Sequence, residues 1–499
     1  MSKILKTLLI VVLVTLSTWV AVLWHWETTK RDMSVNDIAL YLAVLPLMLV
    51  AIAFALRWAW RAAAAAAVPA PAGSAASGEA AAPTAPATVA DTRRHATVKL
   101  LATHVCSPCG HTPAELVSAA KDGKPRPAPF DELRGEDGMP VVCARINDIE
   151  PDAIRDVVAP AMPSVRLQQA AWQEAAVEAH VWRALAALDA PLGTTLDDLH
   201  SWPAFETPAP GLPADSTPLQ ARDRAHAAVR VLAAWPPSWS DFEQAVATAW
   251  LRLRVTSEGT TGIPASRFVF DAAARSGEEL WVEADRLMEA LARDDRNDVV
   301  LLASCDSAIA DAAVNRLCDD GRLFSVDRRP QGIMPGEAAA VLAIAPASWP
   351  ARSDDAEPPV ELHRPAVQRR DRSIEAGGRV NGVCLKHTVE HALQAARLDA
   401  QAVSTLVCDA DQHTARTTEL FDATLELLPH LTPTDDMRLL GVVTAHTGNV
   451  SPLLAVAAGA EEARTAGKPV VAVALGDPFI RLALVARPAP TPPETTASS

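Results

Sequence analysis

The chain has 499 residues, 49% of them hydrophobic, and a formal net charge of −15. A surface this acidic repels phosphate backbones, which excludes nucleic-acid binding as a main role. The seven cysteines are odd in number and several sit in apolar runs such as Val141-Val142-Cys143 and Leu406-Val407-Cys408, so buried free thiols in a reducing compartment account for them better than a disulfide framework.

From the N-terminus, Thr7 to Trp24 and Ile38 to Leu56 carry no charge, and each is close to the roughly 20 residues that span a bilayer. A cleavable leader is the rival reading of the first run; a second span directly after it argues against that. Trp19, Trp24, Trp26, Trp58 and Trp60 stand where an interfacial belt would lie. Lys3 and Lys6 precede the first run, Arg57 and Arg61 follow the second, and the short loop between holds Lys30 and Arg31. This modest bias predicts a transmembrane hairpin over 1–61 in a bacterial inner membrane, with both ends and the large domain cytoplasmic; the opposite topology stays open. Residues 62–92 are rich in Ala and Pro and predict a flexible linker, reaching on the order of 30 Å as a coil. Residues 489–499, rich in Pro and Thr, predict a disordered tail.

In the body, 93–488, short apolar runs alternate with amphipathic stretches. Val98–Val105, Phe268–Phe270, Val299–Ala303, Ala340–Ile344, Ser404–Cys408, Leu439–Val443, Val470–Leu475 and Leu482–Val485 read as buried strands. Glu278–Ala292, Ser307–Cys318, Thr388–Leu398, Thr417–Leu428 and Pro452–Thr465 read as helices. Such alternation implies an α/β layered fold. The stretch 150–260, interrupted by Trp and Pro, reads as a helical insertion, with Trp172, Trp182, Trp202, Trp235 and Trp239 as a packing cluster.

Five blocks, in order, carry a family resemblance: Leu100 to Gly110 with its Val-Cys-Ser-Pro-Cys-Gly turn, Gly138-Met139-Pro140-Val141-Val142, Asp298 to Ser307, Gly332-Ile333-Met334-Pro335-Gly336-Glu337-Ala338-Ala339, and Thr444-Ala445-His446-Thr447-Gly448-Asn449. The chain resembles the β-ketoacyl synthase branch of the thiolase-like superfamily. That resemblance implies a five-layer α/β/α/β/α sandwich of two pseudo-repeated halves, behind the transmembrane hairpin. Cys106 and Cys109 form a CxxC, the spacing of redox and zinc motifs, but there is no second cysteine pair at zinc spacing. His387 and His391 are four residues apart on a helix, again without a supporting carboxylate signature. No metal and no cofactor are expected.

The resembled enzymes hold a nucleophilic Cys at a helix N-terminus, where the helix dipole lowers the thiol pKa. Ala273-Ala274-Arg275-Ser276-Gly277 matches that pattern with Ala274 in the Cys position; Ser276 is close but two residues on. The first of two histidines is lost, since Asp409-Ala410-Asp411-Gln412-His413 stands there with His413 displaced. The second matches at His446. The resemblance therefore implies a vestigial pocket at Ala274, Ser276, Asp409, Asp411, His413 and His446 with no catalytic residue. It suggests a non-catalytic scaffold similar to the membrane-tethered type VI secretion adaptors of lipase effectors, binding a secreted lipase effector or a secretion spike component, with a homodimer left open. The alternative is an acyl-condensing or acyl-transferring ketosynthase-like enzyme using Ser276 or Cys305.

Overall fold

A computed structural model describes residues 96–200, 228–257, 263–294, 296–349 and 359–489, all within the second of two compact units, 86–499. The expected hairpin and linker, Trp202 and the tail after 489 lie outside the described residues. Among the described residues no helix is long and apolar enough to cross a membrane.

The first half opens with β1 (Thr97–Cys106), α1 (Pro113–Asp122) and a small hairpin of β2 (Ala128–Arg134) and β3 (Pro140–Cys143). Helices α2 (Pro151–Val158), α3 (Met162–Arg166) and α4 (Ala179–His200) lead to β4 (Val229–Trp235), α5 (Asp241–Thr256), β5 (Phe268–Ala274) and α6 (Gly277–Arg293). Strand β6 (Val299–Ser307), helix α7 (Asp311–Asp319) and β7 (Glu337–Pro346) complete it. The second half holds β8 (Val360–His363), β9 (Ala366–Arg369), α8 (Val383–Ala396), β10 (Thr405–Cys408), α9 (Thr414–Leu427), β11 (Met437–Leu439), α10 (Gly441–Thr444), α11 (Ser451–Ala466), β12 (Val470–Ala474) and β13 (Ile480–Pro488).

The main sheet runs β11-β10-β12-β13-β8-β1-β7-β6-β4-β5. Each half repeats one pattern. In the first, β4 lies parallel to β5 and β6, while β7 runs antiparallel to β6 and β1. In the second, β10 lies parallel to β11 and β12, while β13 runs antiparallel to β12 and β8. Antiparallel pairing of β1 with β8 joins the halves.

Side-chain alternation sorts the strands into layers. Ala338, Ala340, Leu342 and Ile344 of β7 face a core shared with α6 and α11, whereas Ala339, Val341, Ala343 and Ala345 face α4 and α5. In β12, Val470, Ala472 and Ala474 face the shared core, and Val471 and Val473 face α8 and α9. The layer order is therefore α/β/α/β/α. Strands covered on both faces must be apolar along their whole length, which is why β6, β7 and β12 read as unbroken apolar runs. Helix α11 is buried almost all round, as its Leu-Leu-Ala-Val-Ala-Ala sequence requires of a helix inside the molecule.

Two expectations are corrected. Residues 150–260 are not merely a helical insertion: they supply β4, paired on both sides in the main sheet. Its Val-Arg-Val-Leu-Ala-Ala-Trp run was obscured by the surrounding Trp and Pro. Leu439–Val443 is not one strand, since β11 ends at Leu439 and a helical turn begins at Gly441. Gly441 is packed too tightly for a side chain, since a Cβ there would lie 2.6 Å from the Asp409 carbonyl oxygen. Trp182, Trp235 and Trp239 belong to the outer core of the first half, with Trp172 packed on it, and Trp235 stacks on Trp239 at 6.0 Å.

Candidate active site

The turns that precede α6 and α11 meet where β4, β6, β10 and β12 end. A Cβ on Gly277 would lie 2.4 Å from the Asn449 carbonyl oxygen, so the start of α6 is pressed against the turn before α11. Asn449 fastens the two halves. Its side-chain amide donates to the Ala234 carbonyl at 3.1 Å and to Ser304 Oγ at 3.3 Å, and its backbone N–H donates to Asp306 at 3.0 Å. Gly448 has φ +53°, and a Cβ there would sit 2.2 Å from Asp306 Oδ2. Only glycine meets both demands at low cost.

Asp409, Asp411 and His446 do come together. They line a cavity of about 10 Å³ with Thr447, Ser451 and Gly476, the room of about one water molecule. Asp409 accepts from the backbone N–H groups of Leu475 at 2.8 Å and Gly476 at 3.0 Å. Burial nevertheless raises its carboxyl above the ordinary range, against these hydrogen bonds and the Arg416 charge. Asp411 pairs with buried Arg416 at 2.8 Å, and Arg416 also donates to the Gly476 carbonyl. Burial, followed by the Arg416 charge, lowers the pKa of His446 to about 4, so its imidazole is neutral near pH 7. The His446 backbone exchanges hydrogen bonds with Met334 and Gly336 at 3.1 Å, which ties two of the recognised sequence blocks together.

Three expected residues lie outside that cavity. Ala274 ends β5 opposite Trp235, with its side chain exposed. His413 caps α9, its Nδ1 accepting the Ala415 N–H at 3.3 Å; burial holds its pKa low. Ser276 is not inside a helical turn. It is the extended residue just before α6 (φ −71°, ψ 163°), with its Oγ accepting the Glu279 N–H and Glu279 returning a bond to its backbone N–H. This is a capping box, legible in Ser276-Gly277-Glu278-Glu279.

The residue that sequence reasoning passed over is Glu278. It is 4% exposed at the start of α6. Burial raises its carboxyl to about 7, opposed chiefly by its own backbone N–H and helped by the charges of Asp477 and Asp409. Burial also lifts Asp306 to about 6. Nothing in a Glu-Glu pair after a cap marks one of the two as buried, so no sequence signal separated Glu278 from Glu279.

The cysteines offer no nucleophile. All seven are free thiols. Cys305, the alternative candidate, is fully buried and its pKa stands well above the thiol range through burial. Cys106 and Cys109 are both pushed to about 12, chiefly by burial. His391 contacts Gln368 at 3.1 Å, and among the described residues no group of side chains is arranged to hold a metal ion.

No family model matches the chain, and no curated protein does. Solved structures do. A β-ketoacyl synthase from Burkholderia phymatum STM815 is similar at 13% identity and TM-score 0.50, covering 79% of this chain and 100% of that one. A type II PKS acyl-carrier protein in complex with its ketosynthase bound to the hexaketide is similar at 11% identity and TM-score 0.50, with 79% and 99% covered. An oxazolomycin ketosynthase domain from Streptomyces albus JA3453 gives 12% identity and TM-score 0.50, with 81% and 76% covered. The body has the thiolase-like fold. These neighbours overturn the expected non-catalytic secretion adaptor: the structures similar to this chain are ketosynthases.

Proposed function

We propose that the body is an acyl-transferring protein of ketosynthase type, in which the Ser276 hydroxyl replaces the thiolate of the resembled enzymes. The observation that carries this reading is a half-buried serine at the N-cap of α6 with a buried carboxyl, Glu278, two residues on, which burial lifts to about 7. A carboxylate titrating near 7 is matched to general-base work at neutral pH. The N-terminal end of a helix favours the negative charge that develops when a hydroxyl attacks a thioester carbonyl. In that step the Ser276 oxygen bonds to the acyl carbon, its proton passes to Glu278, and the thiol leaves after taking the proton back. The cavity beside His446 is too small for an acyl chain, so the acyl group approaches over Ala274, whose small side chain leaves the half-buried Ser276 reachable.

A thioester donor implies a carrier-type protein partner, which agrees with the acyl-carrier protein in one of the similar structures. The two uncharged N-terminal runs support a body tethered at the inner face of a bacterial membrane. A reporter joined after Arg487 should be active in the cytoplasm; activity only in the periplasm would refute that placement.

The chemical test is intact-mass spectrometry of the purified chain after exposure to octanoyl-coenzyme A. A single octanoyl addition, absent from Ser276→Ala and slowed in Glu278→Gln, is expected. No addition, or one that survives Ser276→Ala, refutes the proposal.

A further inference from the structure

A cavity of about 650 Å³ lies at the far end of α6 from Ser276. It is bounded by α6, the start of β1, the end of β7 and the end of β8. Because β1 and β7 are antiparallel, Val98 lies beside Pro346 at this end while Cys106 lies beside Ala339 at the other. Helix α6 has 17 residues, so the two ends are roughly 25 Å apart. The size falls within the roughly 300–1,000 Å³ of small-molecule sites.

Its walls have two chemistries. Trp281, Ala284, Met288, Leu291, Ile344 and Leu362 make an apolar lining, all belonging to the shared core. The rim is charged: Arg293, Arg296 and Arg364 face it against Asp285 and Glu289. Arg364 is held by Asp285 at 2.5 Å. Arg293 meets Glu289 only at 3.6 Å and its side chain is 57% exposed. Arg296 shares Asp298 with Arg230. Four guanidinium groups, Arg230 included, meet three carboxylates, Asp285, Glu289 and Asp298, which leaves a positive edge on an apolar slot.

We propose that this slot binds an amphipathic monocarboxylate, a medium-chain fatty acid, with its hydrocarbon along α6 and its carboxylate at Arg293 and Arg296. An apolar body with one anionic end is what a greasy slot with a cationic mouth complements. A bidentate guanidinium contact suits a planar carboxylate, and displacing the long Glu289 contact costs little at so exposed a position. The site is separate from Ser276 and does not depend on the acyl-transfer reading.

The test uses the full chain in lipid nanodiscs and a decanoate analogue carrying a diazirine at its tail. Irradiation should label residues between Trp281 and Ala292 or between Ile344 and Ser348. Decanoate should displace the label better than octanoate by roughly fifteenfold, at about fourfold per methylene. Decan-1-ol should compete at least tenfold less well than decanoate. Ala292→Trp and Ala347→Trp place bulk at exposed positions of the lining and should abolish labelling, while Arg293→Glu with Arg296→Glu should weaken it at least tenfold; Ser276→Ala should leave it unchanged. Labelling elsewhere, equal displacement by decan-1-ol, or full labelling of both Trp variants overturns the proposal.

Discussion

Glu278→Gln should stabilise the protein, and increasingly so as pH rises. Glu278 is buried and its carboxyl is lifted from 4.5 to about 7. The folded state therefore holds the proton more tightly than the unfolded chain does. The resulting stability is fully present below pH 4.5 and is lost as pH climbs through 7. Relative to a permanently neutral group, linkage gives a cost of about 1 kcal/mol at pH 5.5 and about 3 kcal/mol at pH 8.5. Glutamine keeps the size and a carbonyl acceptor but never ionises. Its advantage should therefore grow by about 2 kcal/mol between the two pH values. Urea unfolding followed by circular dichroism at both pH values measures this, provided the slope with denaturant is unchanged. A stability difference that does not move with pH would show that Glu278 is not held protonated, and the argument for a base near neutrality would fail with it.

Three further outcomes are expected. Glu337 is fully buried and accepts from the Ile146 N–H, Ser307 Oγ and the Arg183 guanidinium; Glu337→Ala should cost about 3–5 kcal/mol in urea unfolding by stranding Arg183, and a loss below 1 kcal/mol would contradict this. Gly448→Ala should cost about 1–3 kcal/mol, since it combines a left-handed backbone with a Cβ crowding Asp306; a neutral effect in thermal melts would mean the Asn449 turn is looser than described. Cys106 and Cys109, raised to about 12, should resist iodoacetamide at pH 8 in the native chain and react once it is unfolded; rapid native alkylation, read by peptide mass spectrometry, would overturn that.

Strands buried on both faces were legible because their apolar runs have no other explanation: β6, β7, β10 and β12 were all read within a few residues. Strand β4 was missed because it ends on Trp235 with Pro236 and Pro237 directly after it, and a seven-residue run beside prolines carries no period to separate strand from loop. Strands β8 and β9 are short and paired in the sheet, so tertiary partners rather than local pattern define them. At the site, the meeting of Asp409, Asp411 and His446 followed from the sequence blocks. His413 could not be read as a helix cap, nor Glu278 as buried. The His413 cap is a local bond to Ala415 that a histidine seldom makes, whereas Glu278 lies at a junction with the other half, whose Asp409 and Asp477 raise its carboxyl further.

The last strand of the fold, β13, lies between β12 and β8 rather than at an edge. Until it arrives, both neighbours keep a bare row of backbone donors and acceptors, and β8 meets solvent or another chain. At ribosomal rates of about 5–20 residues per second, the stretch from β8 to the end of β13 takes roughly 6 to 26 s to be made. A nascent chain in that interval is a half-built sheet with an open slot of strand width, and it is there that a chaperone, or a second nascent copy, would find it.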